Sequence, residues 1–310
     1  MSISGKDLSP IERFRGCLLG LAVGDAVGTT VEFKPRGSFP PLTDMIGGGP
    51  FGLKAGQWTD DTSMALCLAT SLIDKKGFDP KDQMERYWRW YKEGYLSSTG
   101  KCFDIGNTVG YALERYHRTS EPFSGTTSPN MAGNGSLMRL APISIFYFPD
   151  LRKIIHFAAE SSRTTHGAPE CIEACQLFSE MLFHIFSGMD KESALFKATF
   201  EPSMSKIKDI ALGNYRNKST NEIKGSGYVV ESLEAALWCF YHTASFEEAI
   251  LQATNLGDDA DTTAAICGQI AGAFYGETGI PEKWLAKLHM RSEITNLADQ
   301  LLETMRRPYD

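Results

Sequence analysis

Apolar residues recur at three- and four-residue spacing along nearly the whole chain, the period of a helix with one buried face. The pattern predicts helices over 11–28, 64–73, 83–94, 104–118, 151–163, 169–186, 228–243, 246–254, 262–275, 281–289 and 292–305. No run alternates apolar and polar residues as a half-buried strand would, and no β-α-β order emerges, so the fold class is all-α. Three stretches break the rhythm: 33–56 and 120–136, both rich in Gly and Pro, and the polar segment 205–227. Long loops in a helical domain often carry function. No linker divides the chain, so a single domain over 1–310 is expected.

Two of these helices are unusual. In 11–28, glycines stand at 16, 20, 24 and 28, a spacing that puts them on one face and lets a neighbouring helix approach closely. In 262–275, Ala264, Ala265, Gly268, Ala271, Gly272 and Ala273 make a slim helix that can lie deep in a bundle and hold its N-terminus rigidly. Asp25, within the apolar stretch of the first helix, is costly to bury unless it is paired or hydrogen-bonded.

Composition narrows the function classes. With 42% hydrophobic and 22% charged residues the chain is an ordinary globular one. Its net charge of −7 lacks the basic excess of a nucleic-acid binder, so no nucleic-acid partner is expected. No apolar run reaches the roughly 18 residues of a membrane span; the best candidate, residues 17–27, is short and contains Asp25. No signal-peptide cleavage pattern follows them. Seven scattered cysteines without a C-x-x-C pair read as reduced, buried thiols of a cytoplasmic protein.

Chemistry concentrates where helices start. Thr59-Asp60-Asp61-Thr62 opens one helix and Gly257-Asp258-Asp259-Ala260-Asp261-Thr262 opens another. One such residue suffices to cap a helix; the surplus carboxylates would repel one another if the two ends met without cations. Oxygen-only ligands of this kind suit Mg²⁺, Mn²⁺ or Ca²⁺. The turn Gly133-Asn134-Gly135-Ser136, followed by Met138 and Arg139, offers backbone N–H groups and a guanidinium to an anion such as a phosphate. Asp104 reads as a helix N-cap or a carboxylate with a chemical role, and His166 as a loop histidine, solvated or functional.

Together these motifs resemble the ADP-ribosylglycohydrolase family, of the dinitrogenase reductase-activating glycohydrolase type. The resembling segments are Gly20–Gly28 with Glu32, Trp58–Thr62, Asp104–Thr108, Gly133–Pro142, Thr165–Gly167, Gly225–Val229 and Asn255–Thr263, in the family's order over about residues 12–276. The resemblance implies a compact orthogonal helical bundle holding a binuclear Mg²⁺ or Mn²⁺ centre. It implies metal ligands at Thr59, Asp60, Asp61, Asp259, Asp261 and Thr262, with Glu32 as a further acidic contact. It implies catalytic roles for Asp104, Asp60 and Asp261. Asn134, Gly135, Ser136, Met138 and Arg139 then fall in a diphosphate-binding loop, and His166 and Tyr228 near the ribose and adenine ends. The implied reaction is hydrolysis of the glycosidic bond of an ADP-ribosyl group, with ADP-ribosylated arginine on a protein as the favoured substrate. ADP-ribosyl-serine, O-acetyl-ADP-ribose or another small ADP-ribose conjugate, a two-metal nucleotide phosphohydrolase and a non-catalytic ADP-ribose-binding protein are the alternatives. The second cluster departs from the family's usual Gly-Asp-Thr-Asp-Thr at Asp258 and Ala260, which leaves Asp258 without an assigned role.

Overall fold

Glycine spacing decides the centre of the molecule. In the computed structural model, which describes residues 8–306, α1 (Pro10–Gly28) is buried along almost its whole length. Around it follow α2 (Asp60–Lys75), α3 (Pro80–Glu93), α4 (Asn107–Thr119), α5 (Ala141–Tyr147), α6 (Leu151–Arg163) and α7 (Pro169–Phe186). The chain continues through α8 (Lys191–Phe196), α9 (Ser205–Ala211), α10 (Val229–His242), α11 (Phe246–Thr254), α12 (Ala260–Tyr275), α13 (Glu282–Leu285) and α14 (Arg291–Arg306). Among the described residues there are isolated β-bridges but no strand.

The glycines do what their spacing predicts. A Cβ at Gly16 would lie 2.2 Å from the carbonyl of Gly272, at Gly20 2.2 Å from that of Gly268, and at Gly24 2.1 Å from that of Ala264. Residue numbers rise along α1 as they fall along α12, so the two helices run antiparallel, backbone against backbone. At the far end a Cβ at Gly28 would sit 2.4 Å from Asp261 Cα. The pairing therefore delivers the C-terminus of α1, and Glu32 just beyond it, to the N-terminus of α12. The remaining helices close around this pair, and their buried side chains join one hydrophobic core.

Several sequence expectations are corrected. Residues 10–31 are long and apolar enough to span a membrane by length and composition, with an 18-residue window of mean hydropathy 1.2. However, 94% of that window is buried inside the protein. Asp104 does not open a helix: α4 begins at Asn107 with Gly106 as its N-cap, and Asp104 has a left-handed backbone with φ +59°. The helix expected over 281–289 shrinks to α13. Three helices were not anticipated: α5, α8 and α9, the last inside the segment read as a polar loop.

Candidate active-site cleft

Asp25 reaches across from α1 to cap α2. Its carboxylate accepts from the backbone N–H of Thr59 (2.9 Å) and Thr62 (3.0 Å) and from their hydroxyls (2.9 and 2.6 Å). Four donors explain how an aspartate survives at 0% exposure; burial still lifts its pKa to about 6. The residues at the cap positions are thereby released. Neither Thr59, before α2, nor Asp259, before α12, caps its own helix with its side chain. Capping thus fails to account for the acidic clusters.

What the released groups do is face one another. Thr59 Oγ1 lies 2.9 Å from Asp25 Oδ1, 3.1 Å from Asp61 Oδ2 and 3.3 Å from Asp261 Oδ2, and one hydroxyl proton can serve only one of these. Two groups of acids place ligand atoms within 4.8 Å of one another: Asp25, Asp61 and Asp261, and Glu32, Asp104 and Asp261. Asp261 belongs to both. Asp61 Oδ1 and Asp261 Oδ1 are buried with no hydrogen-bond partner. Burial first, then the neighbouring carboxylates, push Asp60, Asp61 and Asp261 well above the usual range. The same order of causes lifts Glu32 to about 9, and burial carries Asp104 to about 7. Orphaned buried oxygens in an all-oxygen donor set fit hard divalent cations.

The outer acids of this cluster line a cleft of about 720 Å³, a size suited to a small ligand. Glu32, Asp60, Asp104, Asp259, Asp261 and Thr262 line it together with Gly133, Asn134, Gly135, Met138 and His166. Asn134 turns its amide toward the acids, donating to Asp259 Oδ2 (2.6 Å) and Ser232 Oγ (2.8 Å). Thr59 and Asp61 lie fully buried behind this lining.

Three expected binding residues do not line the cleft. Arg139 is fully buried; its guanidinium stacks 4.6 Å over the Tyr87 ring and donates to Thr165 Oγ1 at 2.7 Å. The chain turns at Leu137–Leu140, which carries Arg139 away from the glycine turn and into the core. Ser136 is likewise buried, accepting from Ser162 Oγ at 2.8 Å. Tyr228 meets the turn through its backbone, in a β-bridge with Gly133 beside the Val229 N–H to Ala132 O bond (3.0 Å). Its hydroxyl donates to Glu170 Oε2 (2.5 Å) and accepts from Lys206 (3.1 Å). Asp25 is the converse case: the sequence shows its cost, and the structure adds it to the acidic cluster.

The chain compares closely with known proteins. Residues 6–310 match the ADP-ribosylglycohydrolase family. The chain is 46% identical to ADP-ribosylarginine hydrolase Tri1 of Serratia proteamaculans, over 94% of this chain and 79% of that one. It is 34% identical to ADP-ribosyl-[dinitrogen reductase] glycohydrolase of Rhodospirillum rubrum, over 94% and 96%. A solved structure titled ADP-ribosylglycohydrolase-related protein complex superposes with a TM-score of 0.85 at 42% identity, covering 96% of this chain and 99% of that one. With the antiparallel α1–α12 pair, the acids gathered at its end and the glycine turn in the same cleft, these likenesses leave one assignment: the chain belongs to the ADP-ribosylglycohydrolase family.

Proposed function

We propose that the chain hydrolyses the N-glycosidic bond between ADP-ribose and an arginine side chain of a protein, using two divalent cations, Mg²⁺ or Mn²⁺. The observation that carries this reading is the pair of acidic triads sharing Asp261 on the wall of a ligand-sized cleft. The arginine linkage rests on the Serratia and Rhodospirillum relatives. Asp25, Asp61 and Asp261 would hold one cation and Glu32, Asp104 and Asp261 the other, with Thr59, Asp60, Asp259 and Thr262 beside them. Divalent cations supply Lewis acidity to ribose hydroxyls and to an attacking water.

The chain's own groups do the rest. Cleavage builds positive charge on the ribose ring, and the carboxylates along the wall stabilise it electrostatically. Asp104, held off the helix by its left-handed backbone, accepts the proton of the attacking water. The backbone of Gly133–Gly135 and the imidazole of His166 hold the diphosphate and ribose hydroxyls and so fix the anomeric carbon. All seven cysteines are free thiols, which supports work in the reducing cytoplasm. The test is a product assay on ADP-ribosylated arginine, serine and O-acetyl conjugates with Mg²⁺ or Mn²⁺, read by mass spectrometry. Release of intact ADP-ribose from arginine is expected. AMP as product, or turnover of only the other conjugates, would replace this reading.

A further inference from the structure

Arg139 is a fully buried cation that forms no ion pair among the described residues. Its neighbours are neutral: Ser161 O (3.3 Å), Thr164 Oγ1 (3.3 Å), Thr165 Oγ1 (2.7 Å), Met64 Sδ (3.9 Å) and the Tyr87 ring. An uncompensated buried charge is a large cost for a merely structural role. The shortest of these bonds leads to the cleft. Thr165 Oγ1 also lies 2.8 Å from His166 Nδ1, and the His166 ring lines the cleft.

The proton inventory fixes the direction of this chain. A guanidinium can only donate, so Thr165 Oγ1 accepts from Arg139. Thr165 has one proton of its own, and His166 Nδ1 is its other partner. Donation to Nδ1 satisfies both the threonine proton and the Nδ1 lone pair. The reverse, with Nδ1–H donating, would leave the threonine proton buried without an acceptor. Nδ1 is therefore the acceptor and Nε2 carries the proton. Nε2 faces the glycine turn: a Cβ would lie 3.5 Å from it at Gly133 and 3.2 Å at Gly135, where it would also press on Cε1 at 2.8 Å. Among the described residues Nε2 has no hydrogen-bond partner. Burial, assisted by the Arg139 charge, holds His166 at about 3, so the ring stays neutral near pH 7.

The geometry points to Arg139 as a positioning residue that, through Thr165, fixes His166 as the neutral tautomer presenting Nε2–H to an oxygen acceptor of the bound ligand. It acts without touching the ligand, in place of the anion fork its sequence position suggests. The ligand side of this inference, a diphosphate or ribose oxygen, rests on the ADP-ribose reading above; the tautomer does not.

The test is ¹⁵N-histidine NMR on the full chain with Mg²⁺, paired with calorimetry using ADP-ribose itself. Wild type is expected to show His166 protonated at Nε2 alone. Thr165→Val preserves shape and removes the relay; it should give a mixture of tautomers and weaken ADP-ribose binding by about tenfold, the scale of one strong hydrogen bond. Thr165→Ser should restore both, and Arg139→Lys should disturb the tautomer without direct contact with ligand. Melting temperature checks that each variant is folded. A wild-type His166 protonated at Nδ1, or an unchanged tautomer in folded Thr165→Val, overturns the proposal. If the wild-type tautomer is as stated but arginine conjugates are not turned over, the functional reading falls and the relay stands.

Discussion

One added methyl group at either end of the glycine stripe separates scaffold from site. In Gly16→Ala the new Cβ would meet Gly272 O at 2.2 Å; in Gly28→Ala it would meet Asp261 Cα at 2.4 Å and Ala260 O at 2.5 Å. Real Cβ atoms essentially never approach below 3.0 Å, and the facing atoms are backbone, which no rotamer change can clear. The helices must part by more than half an ångström. Overpacking costs about 1–3 kcal/mol in general; with rigid backbone as the obstacle the upper part of that range, about 2–3 kcal/mol, applies, while replacing Gly by Ala in a helix recovers about 1 kcal/mol. A net loss of about 1–2 kcal/mol remains. At roughly 2.1 cal/mol/K of unfolding entropy per residue, that is about 2–3 °C in Tm for a chain of this length. Both variants share this loss, yet only Gly28→Ala displaces Asp261, the acid common to both triads. A cation at a hundred times its Kd stabilises by about 2.7 kcal/mol, roughly 4 °C here. Calorimetry with and without Mn²⁺ should therefore show the full cation shift in wild type and Gly16→Ala, and little of it in Gly28→Ala. An undiminished shift in Gly28→Ala, or two variants as stable as wild type, would refute the argument.

Asp104→Asn should lower turnover by about 10²–10⁴-fold with Tm nearly unchanged, because Asp104 caps no helix; bound metal measured on the same sample tells a proton acceptor, with metal retained, from an essential ligand, with metal lost. Asp25→Asn should destabilise the protein by about 2–3 kcal/mol in urea titration, since the amide NH₂ now points donors at the N–H and O–H groups of either Thr59 or Thr62; a neutral result would remove Asp25 as the cap of α2. His166 has a folded pKa of about 3 against 6.5 when free. The unfolded chain thus binds the extra proton first, and stability is complete above about 6.5 and falls as pH drops toward 3. His166→Gln should lose that part of the acid sensitivity in Tm-against-pH profiles, and matching profiles would show that the ring is not buried neutral.

The parts of this site set by local spacing were legible in the sequence. Glycines four apart must share a helix face, and carboxylates crowded at two helix starts exceed what capping needs. The parts set by tertiary placement were not. Asp25 advertises a cost, but only the approach of α1 to α2 shows which N–H groups meet it. Arg139 follows a glycine turn, as an anion-binding fork would; a change of chain direction over four residues sends it to the other side of the turn. Asp104 has the chemistry of an N-cap, but Gly106 takes that position and leaves the carboxylate free. Helices α5, α8 and α9 span two turns or fewer, too few to establish a period.

The antiparallel pairing of α1 with α12 also bears on how the protein is made. Thr59 and Asp261 stand 202 positions apart, so the acidic constellation does not exist until nearly the whole chain has been synthesised. Until then α1, apolar on every side over residues 16–24, has no partner for its glycine face, and a nascent chain carries that surface exposed for most of its translation. Closing so distant a contact is slow and leaves room for aggregation. On the two-cation reading proposed above, cation affinity would consequently be a readout of completed folding: a chain arrested before residue 260 retains Asp25, Glu32, Asp60, Asp61 and Asp104 but lacks the one acid that both triads share.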